Sequence, residues 1–532
     1  MIFYAIVVFS FRVVNGEKFP DGFKFGAATS AYQIEGARNV SDNGANIWDT
    51  YTHNHPELIV DGATGDIACD SYHLWMKDID IAEQLGLDFY RFSISWSRIL
   101  PTGLTNKVSD DGVEYYNKII NELLRRNIEP LVTMYHFDLP QTLQDLGGWT
   151  NPLIVEWFED YARVLFDLYA DRVRTWVTVN EPLIMCDYIY TSGTMAPGIL
   201  EPTFAPYLCN KYVLLAHATA WRLYDNEYKP RYNGKLSIAN NPVWIEPSEP
   251  QLKDLAELGR QFGAGRYSHP IYSRTGGWPP SVEKYMEKLS KKEGYSKSRL
   301  PEFTYEEIKL IRGTYDYYAL NHYTSRLIRP TKPGETAGPW IFYGSSDLDA
   351  VLETSPWWPP TAATEVVMYP KGIRRQLEWL QQQYGNISFL ITENGCASGT
   401  TGQYDFDRIF YMGSYLKEIL NAIRKGIKVE GYTAWSLMDN FEWLEGYRTS
   451  YGLYQVDFEN PMRKRTPRNS AGFYADVIKS RRINFFFNAT QINRKDLIFN
   501  HRFMKMINQS SSSPPLYNID IFNFRPLNIT SD

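Results

Sequence analysis

Positive charge is in short supply in this 532-residue chain: 55 Lys and Arg face 61 Asp and Glu, a formal net charge of −6. A protein that works on nucleic acid or on an anionic membrane carries a basic surplus to neutralise phosphates, so neither partner is expected. Long apolar runs are missing too. The longest begins at the N-terminus and ends at Ser10, too short to cross a bilayer. Cysteine is scarce: Cys69, Cys186, Cys209 and Cys396 form no CxxC pair and no metal-like spacing with the eight histidines. That excludes a disulfide framework and a structural metal site. No GxGxxG or GxxxxGK follows any strand-like run, which removes the nucleotide-binding α/β classes. No cofactor is expected.

Residues 1–16, MIFYAIVVFSFRVVNG, occupy the place of a secretory signal peptide, without its usual basic start. A secreted chain is the expectation, and acceptor sequons at Asn39, Asn386, Asn488, Asn508 and Asn528 fit it. Three of the four cysteines are expected to be small core residues, while a Cys186–Cys209 bridge stays open in an oxidising compartment. From 483 to 532 the composition turns Asn-, Ile- and Phe-rich around a Ser-Pro stretch, and an appended, poorly ordered tail is expected there.

What the chain has in abundance is aromatic side chains, 15% of it, and 44% hydrophobic residues overall. Most will be core; a surplus of Trp and Tyr also suits a site for flat-faced, polyhydroxylated ligands. Between 17 and 482, short β-branched or aromatic runs alternate with helical patterns. The runs are FKFGAAT, FYRFSIS, PLVTMYH, RTWVTVN, KLSIANN, DYYALNHY, SFLITEN and GYTAWSL. Between them lie stretches such as DDGVEYYNKIINELLRRN, where Val113, Tyr116, Ile120 and Leu124 recur at helical spacing. Eight such units predict an α/β fold, a (β/α)8 TIM barrel in a single domain with elaborated βα loops, although the same alternation builds an open doubly wound sheet. Arg91, His136, Asn180, Glu181, Asn321, Glu393, Asn394 and Trp435 fall at the C-terminal ends of the runs, where a barrel gathers its catalytic groups. Glu181 and Glu393, each directly after an apolar run, are the pair that glycoside cleavage requires: one acid to protonate the leaving oxygen and one carboxylate to attack or to activate water.

These residues stand in motifs, FPDGFKFGAATSAYQIEGA, YRFSISWSRILP, YHFDLPQ, TVNEP, YYALNHYTS, ITENG and TAWSLMDNFEW, whose types and order over residues 19–482 resemble the family 1 glycoside hydrolases, the β-glucosidase and myrosinase family, its insect members most of all. The resemblance implies a retaining β-glycosidase acting on small-molecule β-D-glucosides, with galactosides and fucosides as further glycones. It makes Glu393 the nucleophile and Glu181 the acid/base, their carboxyls ~5–5.5 Å apart. It assigns Arg91, Asn321 and Tyr323 to the support of the nucleophile, and Gln33, His136, Asn180, Tyr323, Trp435, Glu442 and Trp443 to sugar binding. A non-catalytic sugar-binding relative would typically have lost one of the two glutamates; a transglucosidase would use the same residues. The oligomeric state is not encoded in any of these motifs.

Two positions depart from the family pattern. Phe137 stands where the family usually has Trp, so one indole donor is lost. Glu365, five residues before Pro370, stands where a Trp platform for the aglycone is common, which points to a polar or cationic aglycone, with Trp357 and Trp358 as an alternative wall. For thioglucosides, the plant-type exchange of the acid/base for Gln is absent. Insect-type members hold the substrate sulfate with basic residues: Arg326 is a candidate, yet the position six after Glu181 is an acid, Asp187, where Lys is expected. The O-glucosidase reading leads.

Overall fold

The computed structural model describes residues 18–399 and 402–484. The expected signal at 1–16, and the expected tail apart from residues 483 and 484, lie outside the described residues. All eight expected strands form: β1 (Lys24–Ala28), β2 (Phe89–Ser93), β3 (Glu129–Tyr135), β4 (Thr175–Asn180), β5 (Lys235–Asn240), β6 (Tyr318–Asn321), β7 (Ser388–Asn394) and β8 (Lys428–Trp435). Every neighbouring pair is parallel, and β1 pairs with both β2 and β8, so the sheet closes into a barrel. The open-sheet alternative falls away. The strands read as near-continuous apolar runs because both faces are covered, by the barrel interior and by the helices outside.

One helix of the outer layer follows each strand: α1 (Ser71–Leu85), α2 (Asp110–Arg125), α3 (Ile154–Tyr169), α4 (Ala205–Leu223), α5 (Tyr305–Ile311), α6 (Lys371–Tyr384), α7 (Phe406–Arg424) and α8 (Asn469–Ser480). Helix α2 shows why. Ser109 caps it, its hydroxyl accepting from Gly112 N at 3.1 Å, and Asp110 and Asp111 complement the dipole of the first turn. Its buried stripe runs through Tyr116, Ile120 and Leu123, whereas Leu124 is 39% exposed and Val113 only partly buried. The expected stripe drifted because eight residues turn a helix about 80° past its starting face while seven return almost to it.

Inside the barrel, Phe89, Leu131, Val177, Ala239, Ala319 and Leu390 pack into one cluster, each from a different strand. Gly26 on β1 completes it: a Cβ there would overlap the Phe89 ring. This plug closes the interior, so the polar ends of the strands open one way only.

The loops carry structure that the sequence pattern did not reveal. Strands at Trp244–Pro247, Ser325–Pro330, Ala350–Glu353 and Gly344–Ser345 form a separate four-stranded sheet beside the barrel mouth. After β4 comes a π-turn, Ile184–Tyr188, continued by a helical turn, Ile189–Ser192. A Cys186–Cys209 disulfide ties this segment to α4. The remaining thiols, Cys69 and Cys396, are buried, and so is the bridged pair, so all four cysteines are core residues rather than three. Among the described residues no helix is long and apolar enough to cross a membrane, and no group of His, Cys, Asp and Glu is placed to hold a metal ion.

Candidate active site

At the C-terminal ends of the strands lies a cavity of ≈ 270 Å³, with His136, Asn180, Glu181, Asn321, Tyr323, Glu365, Glu393, Trp435, Glu442 and Trp443 in its lining. Ten of the twelve expected site residues therefore meet in one place. Arg91 lies beneath the cavity, and Gln33 is fully buried behind it. The amide nitrogen of Gln33 donates to Asn440 Oδ1 and to Phe441 O, both at 2.8 Å, and its oxygen accepts from Ser30 at 2.6 Å. It braces the segment that carries Glu442.

The two glutamates sit in different electrical surroundings. Glu393 ends the apolar run of β7 and is 3% exposed. It forms an ion pair with Arg91 Nη1 and accepts from Tyr323 Oη at 2.6 Å. Arg91, itself 1% exposed, also donates to Thr133 Oγ1 (3.1 Å), Thr392 O (3.0 Å) and Asn180 Oδ1 (2.7 Å). The guanidinium thus fastens β2 to β3, β4 and β7. Both partners are donors of the kind a carboxylate accepts from, one of them a cation. Glu181, directly after β4, has a single amide donor, Asn321 Nδ2 at 2.8 Å. Burial, and next the charge of Glu393, raise its pKa well above the ordinary carboxylate value. Asn321 is itself oriented by Thr392 Oγ1, which donates to its oxygen at 2.7 Å. The arrangement sets a cation and a phenol before one glutamate and raises the pKa of the other, the unequal surroundings that a nucleophile and an acid require.

The rest of the wall suits a sugar ring. Asn180 Oδ1 accepts from Arg91 and from Asn321, so its amide nitrogen faces His136 Nε2 at 3.2 Å and leaves the imidazole proton on Nδ1, which has no protein partner. Burial and the neighbouring Arg91 charge hold His136 far below its usual pKa, hence neutral. Its ring lies nearly parallel to Trp435 and Trp443, at 5.8 and 6.2 Å. Phe137 packs edge-on against Trp443 at 5.3 Å. Trp435 Nε1 donates to Glu442 Oε1 at 3.3 Å, and burial pushes the Glu442 pKa up to about 8. Phe137, Glu181 and Trp443 all hold positive φ (73°, 48° and 55°), a costly backbone for residues with a Cβ and one that gathers at functional sites.

On the far side of the cavity the expectations need correction. Glu365 does line it, its carboxylate accepting from Tyr343 Oη at 3.0 Å. Trp357 and Trp358 do not: Trp357 is 55% exposed, and Trp358 stacks on Tyr369 at 4.4 Å. Arg326 is buried, and its N–H groups donate to Thr324 Oγ1 and to the carbonyls of Ser325, Phe342 and Glu365, so it is no sulfate ligand. Asp187 is turned away as well, paired with Arg266 and Tyr267. Spacing along the chain could not show this, because a π-turn changes which face a residue presents. Tyr188, Asn241, Val243, Phe342 and Tyr451 line the cavity and were missed. Asn241 had a signal, a polar residue just past a strand end; Tyr188 ends the π-turn after β4, and the others lie in loops without periodicity.

The family model for glycosyl hydrolase family 1 matches residues 15–483. The chain belongs to that family. Myrosinase 1 of Brevicoryne brassicae is 45% identical over 469 residues, 87% of this chain and 99% of that protein. The solved structure of an aphid myrosinase superposes with a TM-score of 0.82 at 44% identity, covering 87% of this chain and 99% of that one. A rice β-glucosidase mutant, solved in a covalent complex with Glc, superposes at 0.79 and 34% identity, covering 86% and 98%. The family-1 hydrolase described here is a retaining β-glycosidase, and its substrate is a small-molecule glycoside.

Proposed function

We propose that the enzyme hydrolyses O-linked β-D-glucosides, with galactosides and fucosides as further glycones. The observation that carries this reading is the unequal support of the two glutamates: a buried cation and a phenol on Glu393, one amide on Glu181. In the first step a Glu393 oxygen bonds to the anomeric carbon, the bond from that carbon to the aglycone oxygen breaks, and the Glu181 proton passes to the departing oxygen. The glycosylated Glu393 is neutral, the repulsion that kept Glu181 protonated is gone, and Glu181 takes a proton from the water that releases the sugar and frees Glu393. His136, Asn180 and Glu442 read the hydroxyls while Trp435 and Trp443 cover the ring. Glu365 places a carboxylate beside the aglycone and favours polar or cationic leaving groups.

Thioglucoside cleavage is the second reading, favoured by the likeness to myrosinases. The lining residues include no Lys or Arg, however, and Glu365 would repel a sulfate. Secretion and glycosylation at Asn39 and Asn386 are part of the proposal. Both asparagines are exposed in turns, and a disulfide belongs to an oxidising compartment.

The test follows the anomer formed from an aryl β-D-glucoside by NMR, with an aryl glucosinolate alongside. β-Glucose is expected first. Initial α-glucose, or no turnover on a panel of β-glycosides, defeats the proposal. Faster cleavage of the glucosinolate would exchange the first reading for the second. Glu365→Trp is expected to move preference toward plain aryl aglycones; an unchanged preference removes the Glu365 assignment.

A further inference from the structure

A second cavity, of ≈ 190 Å³, shares no lining residue with the first. It does share a wall. Ile184 and Tyr188 line the catalytic cavity, while Asp187 and Thr191 of the same short helix line the second; Phe342 and Trp340 divide in the same way.

Two carboxylates are built into it on one plan. Asp187 is held by the Arg266 guanidinium and the Tyr267 hydroxyl, and Asp347 by the Arg299 guanidinium and the Tyr207 hydroxyl. Both arginines, both tyrosines and Asp187 are at most 4% exposed. Dehydrating each such ion costs several kcal/mol before pairing, and apolar side chains of the same size would close the space without that cost. What the network provides instead is a pair of hydrogen-bond acceptors fixed in a wall that water reaches. Phe262 and Trp340 add flat apolar surface, Thr191 and Ser345 add hydroxyls, and the buried Trp340 indole N–H has no protein partner. Asp187 is paired with Arg266, and Arg299 is shared between Asp347 and Glu293, so neither arginine is left over to draw an anion. A neutral molecule rich in hydroxyl groups gains acceptors for its O–H donors and aromatic cover for its C–H face.

We infer that this cavity is a second binding site, for a neutral polyhydroxylated molecule about one sugar ring in size, and that its occupancy is felt at the aglycone side of the catalytic cavity through residues 184–191 and 340–342. Helix and loop are common to both walls, so a ligand that orders one side orders the other.

Glucose and glycerol are the probes, titrated by calorimetry and by saturation-transfer NMR. The protein is used free, and also after 2-deoxy-2-fluoroglucosyl labelling, with one label per chain confirmed by mass. Labelled enzyme is expected to bind glucose at one remaining site in the millimolar range. Ala337→Trp and Ser346→Trp, which fill the cavity from its rim, should weaken that binding at least about tenfold. Their turnover of an aryl glucoside without added sugar should stay within about twofold of the parent. Added glucose should change the ratio of kcat/KM between two aglycones in the parent and not in these variants. Absence of the second site, equal binding in the filled variants, or binding of glycerol without glucose overturns the inference. In unlabelled protein the same variants must lose one of two glucose sites, so a failed label, which would count against Glu393 as nucleophile, leaves this test intact.

Discussion

The two ends of the barrel hold charged side chains in opposite ways. At the N-terminal ends of the strands Lys24, Glu129, Arg174, Lys235 and Glu430 line a cavity of ≈ 440 Å³, larger than the ≈ 270 Å³ at the other end. There Lys24 pairs with Glu129 and Lys235 with Glu430, and both lysines are about half exposed, at 52% and 51%. Such pairs exchange water for each other at little gain. At the C-terminal end the Arg91–Glu393 pair is 1% and 4% exposed, and the second carboxylate is left with one amide donor. Volume and charge therefore do not locate the chemistry. Dehydrated charge in unequal balance does: a buried cation serves one carboxylate, while burial and that carboxylate's charge raise the pKa of its neighbour.

The largest expected effect comes from breaking that balance. Glu393→Ala should lose activity by on the order of 10⁴-fold or more. Glu181→Ala should lose about 10²–10⁴-fold on a substrate with a poor leaving group, and azide, which stands in for the activated water alone, should restore turnover only where the leaving group needs no proton. Both are read as kcat on aryl β-D-glucosides, and substantial activity in Glu393→Ala would move the nucleophile elsewhere. The pH profile sharpens the comparison. Burial and the charge of Glu393 raise the Glu181 pKa, and the first step needs Glu181 protonated. kcat/KM should hold on the acid side of that pKa and fall as pH rises through it, and this alkaline limb should vanish in Glu181→Ala assayed with a leaving group that needs no proton. A surviving limb assigns it to another group. Next is the disulfide, which constrains only the C-terminal end. Cys186→Ser with Cys209→Ser should cost about 2–4 kcal/mol in denaturant unfolding, with KM for the aglycone affected more than kcat. The smallest effect belongs to the other mouth, where Lys24→Ala with Lys235→Ala should cost under about 1 kcal/mol and leave kcat/KM unchanged. A loss of activity there would undo the contrast.

Sequence reasoning reached the barrel because eight apolar runs with polar ends are a local signal, and Glu181 and Glu393 stood at two of those ends. It reached the sugar-binding set through motifs rather than through physics. What stayed hidden has a common cause. Val243 and Phe342 enter the cavity from loops whose course is set by the small second sheet, whose short strands carry no periodicity, and Tyr188 enters from the π-turn after β4. Asp187 and Arg326 were weighed as substrate contacts because of where they fall along the chain, and neither lines the catalytic cavity: Asp187 pairs with Arg266, and Arg326 donates to protein oxygens. The Leu124 misassignment is a matter of one residue in the phase of a helix.

Arg91 carries one more consequence. Its guanidinium is sealed among four strands, and the carboxylate of Glu393 is its counter-charge. On the proposed roles, the glycosylated enzyme contains a positive charge that water does not reach and that has lost its anion. Release of the sugar restores the anion, so the core of the barrel itself resists long residence of the covalent species, and the lifetime of that species is set in part by a residue that never touches the substrate.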